Sequence, residues 1–335
     1  MENITIIGAG SWGCALARIL ADNKYNVLLY DVDQKTINEI NQFHKNTNKL
    51  FNAKLPDNVK ATSDIKEAVS YSQYILLVVP TAVVRSVLKQ IDQVIDNNKL
   101  FINASKGIEP GTFKRVSEIV YEEIDNKYLD GFVALTGPSH AEEVVAQKLT
   151  VVGAASDNLE HAKKVQEMFS NHQYFRVYTV SDLVGAELGG ALKNIYALAT
   201  GIVDGIGFGV NAKAAMITRA LVEMKRLAKV FGAKEDTLNG LTGMGDLIVT
   251  CTSNLSRNYQ AGLMIGKGDN LEEALSKMTM VVEGARTCIS AYQAARKYNV
   301  YTPLIDAIYD IIYNHKSPQE VIKQIMYTNL KDENE

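Results

Sequence analysis

The fold is decided by a ten-residue stretch near the start of the chain, Ile4–Gly13, which runs ITIIGAGSWG. A short and largely apolar run, Ile4–Ile7, is followed by Gly8, Gly10 and Gly13 in the spacing GxGxxG, and then by a pattern typical of a helix. In a strand–turn–helix unit the first glycine permits a tight turn, the second lets the backbone approach a pyrophosphate, and the third lets the helix pack closely against the strand. The stretch therefore predicts a dinucleotide site, with the pyrophosphate over the helix N-terminus.

The residue after the next predicted strand bears on the choice of dinucleotide. Val27–Tyr30 indicates that strand, and Asp31 follows it, 18 residues after Gly13. A carboxylate near this spacing accepts hydrogen bonds from both ribose hydroxyls. It also repels the 2′-phosphate of NADP, and the neighbouring Val32 adds no positive charge. We therefore expect NAD as the cofactor, with NADP accepted less well; the alternative, a glycine turn without a ligand, fits this context poorly.

Short apolar runs alternate with amphipathic stretches through the first half of the chain. The predicted strands are Ile4–Ile7, Val27–Tyr30, Ile75–Val79, Leu100–Ile102, Phe132–Leu135, Val151–Gly153 and Phe175–Tyr178. The predicted helices between them are Gly13–Asn23, Lys35–His44, Ala82–Ile95, Phe113–Ile124 and Leu159–Phe169. This alternation predicts an α/β fold, a Rossmann-like domain whose parallel sheet is covered by helices on both faces.

Strand signals nearly vanish after about Ser181, whereas helical patterns continue. The predicted helices are Asp182–Val203, Asn211–Phe231, Leu271–Met278, Ala285–Tyr298, Leu304–Tyr313 and Pro318–Met326. We therefore expect two domains, an NAD-binding domain over residues 1–185 and an all-helical substrate-binding and catalytic domain over residues 186–335.

Composition limits the classes of function. The chain of 335 residues is 47% hydrophobic and 22% charged, with a net charge of −3, which gives no overall attraction for nucleic acid or anionic lipid. Its three cysteines, Cys14, Cys251 and Cys288, are far apart and match no zinc pattern. No apolar run reaches the roughly 18 residues of a membrane span. We expect a cytoplasmic protein with no metal, no nucleic-acid partner and no stable membrane insertion; a homodimer is the default for its assembly.

Two polar loops directly follow predicted strands. Asn103–Gly107 runs NASKG and carries Lys106, and Thr136–Ala141 runs TGPSHA. In open parallel sheets, ligands bind beyond the carboxyl ends of the strands, so both loops are expected to face the cofactor crevice. The alternative for Lys106 is an ordinary solvated lysine.

A lysine also lies on a helix face made of small residues. Gly189–Asn194 runs GGALKN, and Lys193 shares its face with Ala186, Gly189, Gly190, Ala197 and Thr200. Such a face lets a ligand or another backbone approach closely. Burial there lowers the pKa of a lysine toward the range useful for proton transfer, but a surface lysine on an amphipathic helix is an equal alternative.

A third cluster lies in residues 240–258, GLTGMGDLIVTCTSNLSRN. Asp246 follows a glycine-rich turn and can orient a lysine or accept a substrate hydroxyl. Ser256, Arg257 and Asn258 precede a helical pattern, which predicts a phosphate pocket made of a hydroxyl, a guanidinium, an amide and free helix N–H groups. The alternative is a serine N-cap followed by a solvated arginine.

Together these motifs resemble the bacterial type of NAD(P)-dependent glycerol-3-phosphate dehydrogenase. The resemblance covers essentially the whole chain and is most specific in GALKN and in GDLIVTC with SRN. It implies a helical domain like the C-terminal domain of 6-phosphogluconate dehydrogenase, and reversible reduction of dihydroxyacetone phosphate to sn-glycerol 3-phosphate for glycerophospholipid synthesis.

The resemblance also assigns roles to residues. Lys193 would donate and accept the proton, and Lys106 would polarise the carbonyl, hold the substrate and touch the cofactor, with Asp246 and Thr250 supporting the hydrogen-bond network. Substrate would contact Gly137, Ser139, Ser256, Arg257 and Asn258. The dinucleotide would contact Ser11, Trp12, Ala141, Val281 and Glu283, with Arg257 bridging both ligands. We assign His140, in the TGPSHAEE segment, a packing or loop role, because the lysine pair already supplies the acid.

One departure and two rival hypotheses remain open at this stage. Many members of the family carry a small residue in place of Asp31 and a basic one near Val32, so their usual tolerance for NADP is in question here. A different hydroxyacid dehydrogenase with the same two domains is one rival, and it would need a carboxylate clamp in place of the SRN pocket. A protein that binds NAD without chemistry is the other, and it leaves the two lysines and Asp246 unexplained.

Overall fold

The glycine turn lies between β1 (Asn3–Ile7) and α1 (Ser11–Asp22), as predicted. The structure is a computed structural model that describes residues 1–50, 53–278, 281–326 and 332. Gly8 has a φ of +114°, a conformation that only glycine adopts without strain. A Cβ on Gly13 would lie 1.9 Å from the carbonyl oxygen of Gly8, so the third glycine is required for the helix to leave the strand this closely.

A single sheet forms the core of the first domain. Its further strands are β2 (Asn26–Tyr30), β3 (Val59–Thr62), β4 (Tyr74–Leu77), β5 (Lys99–Asn103), β6 (Leu129–Thr136), β7 (Thr150–Ala155) and β8 (Phe175–Val180). Within the described residues they lie in the order β3-β2-β1-β4-β5-β6-β7-β8. Buried apolar clusters cover the sheet on both faces, so the α/β prediction is confirmed.

The prediction of a wholly parallel sheet is wrong at one place. β7 runs antiparallel to β6, with Thr136 opposite Gly153, whereas the other neighbouring strands are parallel. A parallel crossover needs a long connection, usually with a full helix, and here only a five-residue helix lies between the two strands. Strand β3 was missed because its four residues, VKAT, alternate weakly at the edge of the sheet.

Helices surround the sheet and continue into the second half. In the first domain they are α2 (Gln34–Phe43), α3 (Ile65–Tyr71), α4 (Thr81–Asp92), α5 (Val116–Glu123), α6 (Ala141–Val145) and α7 (Leu159–Phe169). In the second they are α8 (Leu183–Ile206), α9 (Gly209–Val230), α10 (Glu235–Asn239), α11 (Asp246–Thr252), α12 (Arg257–Gly266), α13 (Leu271–Ser276), α14 (Glu283–Lys297), α15 (Pro303–Ile312) and α16 (Pro318–Met326). The short helices α3, α6, α10 and α11 were not predicted, since five to seven residues carry too little periodicity.

Helix α8 is the axis of the helical domain. Its residues are buried almost without interruption as far as Val203, so it is surrounded by other helices rather than lying at the surface. Its first turn, with Leu183 and Ala186, packs with the core of the sheet, and from Leu188 onward it packs with the helical core. The boundary between residues 185 and 186 stays a prediction. Among the described residues, no helix combines the length and the apolar character that a membrane crossing requires.

Glycines let α8 and α12 cross with their backbones in contact. A Cβ on Gly201 would lie 2.1 Å from the carbonyl oxygen of Tyr259, and one on Gly262 would lie 2.0 Å from that of Leu198. Because α12 starts at Arg257 and α8 carries Lys193, this close crossing places both predicted ligand-binding segments side by side.

We expect the substitution Gly262→Ala to lower the free energy of unfolding by roughly 1–3 kcal/mol, because the added methyl group overlaps the backbone of α8. The gain in helix propensity, about 1 kcal/mol, works in the opposite direction and is the smaller effect. Denaturant unfolding measures the difference. Gly245→Ala is the matched control, since a Cβ there would meet nothing closer than 3.6 Å. Equal losses in the two variants would contradict the proposed backbone contact.

Candidate active site

A cavity of about 740 Å³ lies at the carboxyl ends of the parallel strands, between the glycine turn and the helical domain. Most of the predicted site residues line it: Gly8, Gly10, Ser11, Trp12, Asp31, Lys106, Ser139, Ala141, Lys193, Thr250, Ser256, Arg257, Asn258, Val281 and Glu283. Gly13, Gly137 and Asp246 lie behind this lining and support residues that form it. Segments that are remote from one another in the chain are thus brought together.

The centre of the site is a carboxylate held between two lysines. Asp246, which is 0% exposed, accepts a hydrogen bond from Lys106 Nζ at 3.0 Å through Oδ2 and another from Lys193 Nζ through Oδ1. Lys106 comes from the loop after β5, whereas Lys193 and Asp246 come from α8 and α11. The contact therefore joins the loop after β5 to two helices of the second half, and it carries one net positive charge when both lysines are protonated.

Two further groups fix the direction of the ammonium groups. Thr250 Oγ1 accepts a hydrogen bond from Lys193 Nζ at 2.9 Å and donates one to the carbonyl oxygen of Asp246 at 2.5 Å. The carbonyl oxygen of Gly137 accepts a hydrogen bond from Lys106 Nζ at 3.0 Å. Since an ammonium has three donors, each lysine keeps one N–H for another partner.

Burial lowers the pKa of Lys193 to about 7, against the attraction of Asp246, which raises it; the charge of Lys106 lowers it further. Desolvation disfavours the charged form of a buried lysine. Lys193 therefore exchanges a proton near neutral pH, as a general acid or base must. The small residues next to it serve the burial, because a Cβ on Gly189 would lie 2.3 Å from the carbonyl oxygen of Thr242. The helix face made of small residues is thus in contact with the backbone near Thr242.

The start of α12 offers one cation and one hydroxyl to the cavity. Ser256 caps the helix, since its Oγ accepts from the N–H of Tyr259 at 3.3 Å. Arg257 is partly exposed and lines the cavity, and within the described part of the chain none of the hydrogen bonds or ion pairs involves its guanidinium.

Asn258 has a structural role that the sequence did not indicate, and its predicted contact with the substrate stays a prediction. Its Nδ2 donates to Asn194 Oδ1 at 3.0 Å and its Oδ1 accepts from the N–H of Gly284 at 2.8 Å. Asn194 in turn donates to the carbonyl oxygen of Lys106 at 3.4 Å. Asn258 thus ties α8, α12 and α14 together while it borders the cavity.

The glycine turn presents features that fit a dinucleotide. Ser11 and Trp12 begin α1 and line the cavity, so the N-terminus of this helix lies at the cavity wall. The indole Nε1 of Trp12 is buried without a hydrogen-bond partner, and a Cβ on Gly10 would meet nothing within 4 Å. The turn therefore has both an open approach and an unsatisfied donor beside the predicted pyrophosphate position.

Asp31 is engaged by the backbone in a way that the sequence did not indicate. Its Oδ2 accepts from the N–H of Ala9 at 2.8 Å, and its Oδ1 accepts from the N–H of Asp33 at 3.0 Å. Each oxygen keeps a second lone pair for a ribose hydroxyl. The contact with the ribose stays a prediction.

His140 lies at the N-cap of α6 and borders the cavity, with its Nε2 3.4 Å from the carbonyl oxygen of Val249. Burial, and then the positive charge of Lys193, lower the pKa of His140, so the ring is neutral at neutral pH. Glu283 also borders the cavity. Burial raises its pKa, and its carboxylate accepts a hydrogen bond from the N–H of Thr81 at 3.4 Å. In the described part of the chain, no group of three His, Cys, Asp or Glu side chains is placed to hold a metal.

Comparison with known proteins identifies the family. The model of the NAD-dependent glycerol-3-phosphate dehydrogenase N-terminus matches residues 3–162, and that of the C-terminus matches residues 182–323. The chain belongs to this family. It is 50% identical over 326 residues to a glycerol-3-phosphate dehydrogenase (NAD(P)+) of Bacillus cytotoxicus, covering 97% of this chain and 95% of the relative. A protein of the same name from Geobacillus kaustophilus is 49% identical over 333 residues, covering 99% and 96%.

A solved structure agrees with the family assignment. The crystal structure of glycerol-3-phosphate dehydrogenase from Coxiella burnetii is 36% identical, with a TM-score of 0.93 over 98% of this chain and 99% of that one. The D-mandelate dehydrogenase complex with NADH has a TM-score of 0.64 at 16% identity over 94% and 98% of the two chains, which shows a shared fold alone.

Several residues of this family member were missed from the sequence. Asn46, 1% exposed, donates through Nδ2 to the carbonyl oxygen of Ala9 at 2.7 Å, and Lys49 lines the cavity. Both lie in a segment without periodic pattern, so no signal pointed to them. Asn194 had a signal, since it directly follows Lys193 in GALKN.

We expect kcat/KM for ketone reduction to fall as pH rises through about 7, because the reaction needs the Lys193 ammonium and this form is lost above its pKa. Alcohol oxidation, which needs the neutral amine, should instead fall as pH drops below about 7. Asp246→Asn removes the charge that raises this pKa, so the reduction profile should move to lower pH, with kcat reduced about a hundredfold. Profiles of the wild type and the variant measured side by side provide the test. A profile that moves to higher pH would contradict the arrangement.

Proposed function

We propose that the chain is an NAD(P)-dependent sn-glycerol-3-phosphate dehydrogenase that reversibly reduces dihydroxyacetone phosphate to sn-glycerol 3-phosphate, a precursor of glycerophospholipids. The observation that carries the proposal is the buried Lys193, whose pKa is about 7 and whose ammonium is held by Asp246 at the wall of the cavity. The names of the relatives point to the same reaction.

Lys193 is the proposed acid and base. Reduction turns the substrate carbonyl oxygen into an alkoxide, and the Lys193 ammonium stabilises this charge and then donates its proton to the oxygen. In the reverse direction the neutral amine accepts the proton from the hydroxyl. The preorganised hydrogen bond to Thr250 keeps Nζ in place in both protonation states.

Lys106 is proposed to polarise the same carbonyl. Its remaining N–H is free for the substrate oxygen, because the other two are directed to Gly137 and Asp246. Asp246 keeps the two cations close together, where their mutual repulsion would otherwise separate them. Asp246 and Thr250 thus act through the lysines.

The substrate phosphate is proposed to lie at the start of α12. Arg257 supplies a guanidinium able to make two parallel hydrogen bonds, and the helix N-terminus favours an anion. The hydroxyl hydrogen of Ser256 is available, because its oxygen is the acceptor in the cap. Ser139 is held near the site by its hydrogen bond to the carbonyl oxygen of Gly137 at 3.0 Å, and the amide of Asn258 borders the same space.

The dinucleotide is proposed to lie along the glycine turn, where, when bound, its nicotinamide supplies the hydride. Gly8, Gly10, Ser11 and Trp12 would hold the pyrophosphate through backbone N–H groups, with Gly13 allowing the close packing of α1. Asp31 would accept the ribose hydroxyls. Lys106, Ala141, Arg257, Val281 and Glu283 would lie along the rest of the dinucleotide.

The alternatives explain less of the site. A hydroxyacid dehydrogenase would use Arg257 for a carboxylate, but the serine, the amide and the helix N-terminus beside it suit three phosphate oxygens better. A protein that only binds NAD has no use for a buried lysine at a pKa near 7, which costs folding free energy.

We propose, in addition, a cytoplasmic homodimer. Free and buried Cys14, Cys251 and Cys288 suit a reducing compartment, and closed dimers are the commonest symmetric assembly.

The function is tested by following NADH oxidation with dihydroxyacetone phosphate. We expect turnover with this substrate and at least a hundredfold lower kcat/KM with unphosphorylated dihydroxyacetone, because the charge-assisted contacts to the phosphate are lost. Lys193→Ala should bind NADH normally and lose at least a hundredfold in kcat. Near-normal turnover in that variant, or equal rates with the two ketones, would refute the proposal.

Cofactor preference gives a second test. The carboxylate of Asp31 would lie beside the 2′-phosphate of NADPH and repel it, so we expect the KM for NADPH to exceed that for NADH several-fold at low ionic strength. Added salt should reduce the difference, because it screens exposed charges. An NADPH KM equal to or below that of NADH argues against the predicted preference.

A further inference from the structure

The glycine turn is held from both sides by side chains that are distant in sequence. The N–H of Ala9, between Gly8 and Gly10, donates to Asp31 Oδ2 at 2.8 Å, and the carbonyl oxygen of Ala9 accepts from Asn46 Nδ2 at 2.7 Å. Ala9 and Asn46 are each 1% exposed, so the hydrogen bond between them is shielded from water, whereas the one to Asp31 is partly buried at the cavity wall. Both polar groups of this one residue are therefore fixed by side chains.

A turn of this composition needs such support. Glycines lose more conformational freedom on folding than other residues, and three of the six residues from Gly8 to Gly13 are glycines. The N–H groups that follow Ala9 bind an anion well only if they already point in one direction. Side chains that fix Ala9 therefore determine how well the turn is organised before the dinucleotide arrives.

The second oxygen of Asp31 also has a backbone partner. It accepts from the N–H of Asp33 at 3.0 Å, which orients the carboxylate at the end of β2. Asp33 in turn caps α2, accepting from the N–H of Lys35 at 3.1 Å. The carboxylate of Asp31 thus connects the glycine turn to the start of the next helix.

We propose that Asp31 is a positioning residue for the glycine turn, acting with Asn46 on Ala9, in addition to any charge that it presents to the ribose. The inference rests on the proposed dinucleotide site. It implies two separate effects of Asp31. By organising the glycine turn it strengthens the binding of both NADH and NADPH, and by its charge it weakens the binding of NADPH alone. Replacing Asp31 by a small residue therefore does not simply produce an NADP-preferring enzyme.

Dissociation constants for NADH and NADPH test the proposal without a measurement of turnover. Trp12 is the single tryptophan of the chain and lines the cavity, so quenching of its fluorescence reports dinucleotide binding. In Asp31→Ala, which loses both hydrogen bonds, we expect the Kd for NADH to rise about tenfold, the usual effect of losing a hydrogen bond to a charged group.

Two further variants separate the effect of Asp31 on the glycine turn from the effect of its charge. Asp31→Asn keeps an oxygen for the N–H of Ala9 but loses the charge, so NADH binding should weaken less than threefold while NADPH binding tightens. Asn46→Ala removes no charge and should raise the Kd of NADH and of NADPH by similar factors.

Asn41→Ala is the matched control for Asn46→Ala. Asn41 also bonds backbone groups of the same domain, donating to the carbonyl oxygen of Ala61 and accepting from its N–H, both at 2.8 Å, but it does not touch the turn. It should lower the thermal unfolding temperature without changing either Kd.

The proposal is overturned if Asp31→Ala binds NADH as well as the wild type, or better, since Asp31 would then act by charge alone. It is also overturned if Asn46→Ala changes binding no more than Asn41→Ala does. A wild type that binds NADH but fails to reduce dihydroxyacetone phosphate would instead refute the proposed function and leave this inference intact.

Discussion

The carboxylate of Asp246 lies between the ammonium groups of Lys106 and Lys193, and the two domains meet around this contact. A largely buried ion pair gains little stability, because desolvation offsets most of the attraction. Its value here is chemical. One buried anion holds two cations within reach of one substrate oxygen. When both lysines are protonated, the net positive charge stabilises the negative charge that develops on that oxygen during reduction.

Close helix packing makes this arrangement possible. Small residues on α8 let the backbone near Thr242 approach at Gly189 and let α12 approach at Gly201. The first contact buries Lys193 and the second sets the start of α12 beside it. Larger side chains at these positions would separate the lysine, its carboxylate and the arginine, even if each helix remained intact.

Local sequence signals predicted much of the fold and part of the site. The order GxGxxG–helix–strand–acid predicted the unit β1–α1–β2, because each of its steps is determined by neighbouring residues. The antiparallel β7 could not be predicted, since strand direction depends on how a short connection is traversed in space. The lysine pair was predicted from loop position and helix face, but its carboxylate partner became certain only from the distances.

The roles of Asp31 and Asn258 show where sequence reasoning ends. Both were assigned to ligands by type and position, and both make two hydrogen bonds within the protein. A polar side chain in a motif can organise a site, contact the ligand, or do both. Sequence spacing alone does not separate these uses, because they depend on which backbone groups the fold leaves nearby.

The central claim is that burial beside Asp246 and Lys106 brings Lys193 into the range of proton exchange at neutral pH. Titration of isotope-labelled lysine side chains by NMR, with a Lys193→Arg variant to assign the signal, measures this directly. The account predicts a Lys193 pKa of about 7. A value near 10.5, the ordinary value for lysine, would contradict it.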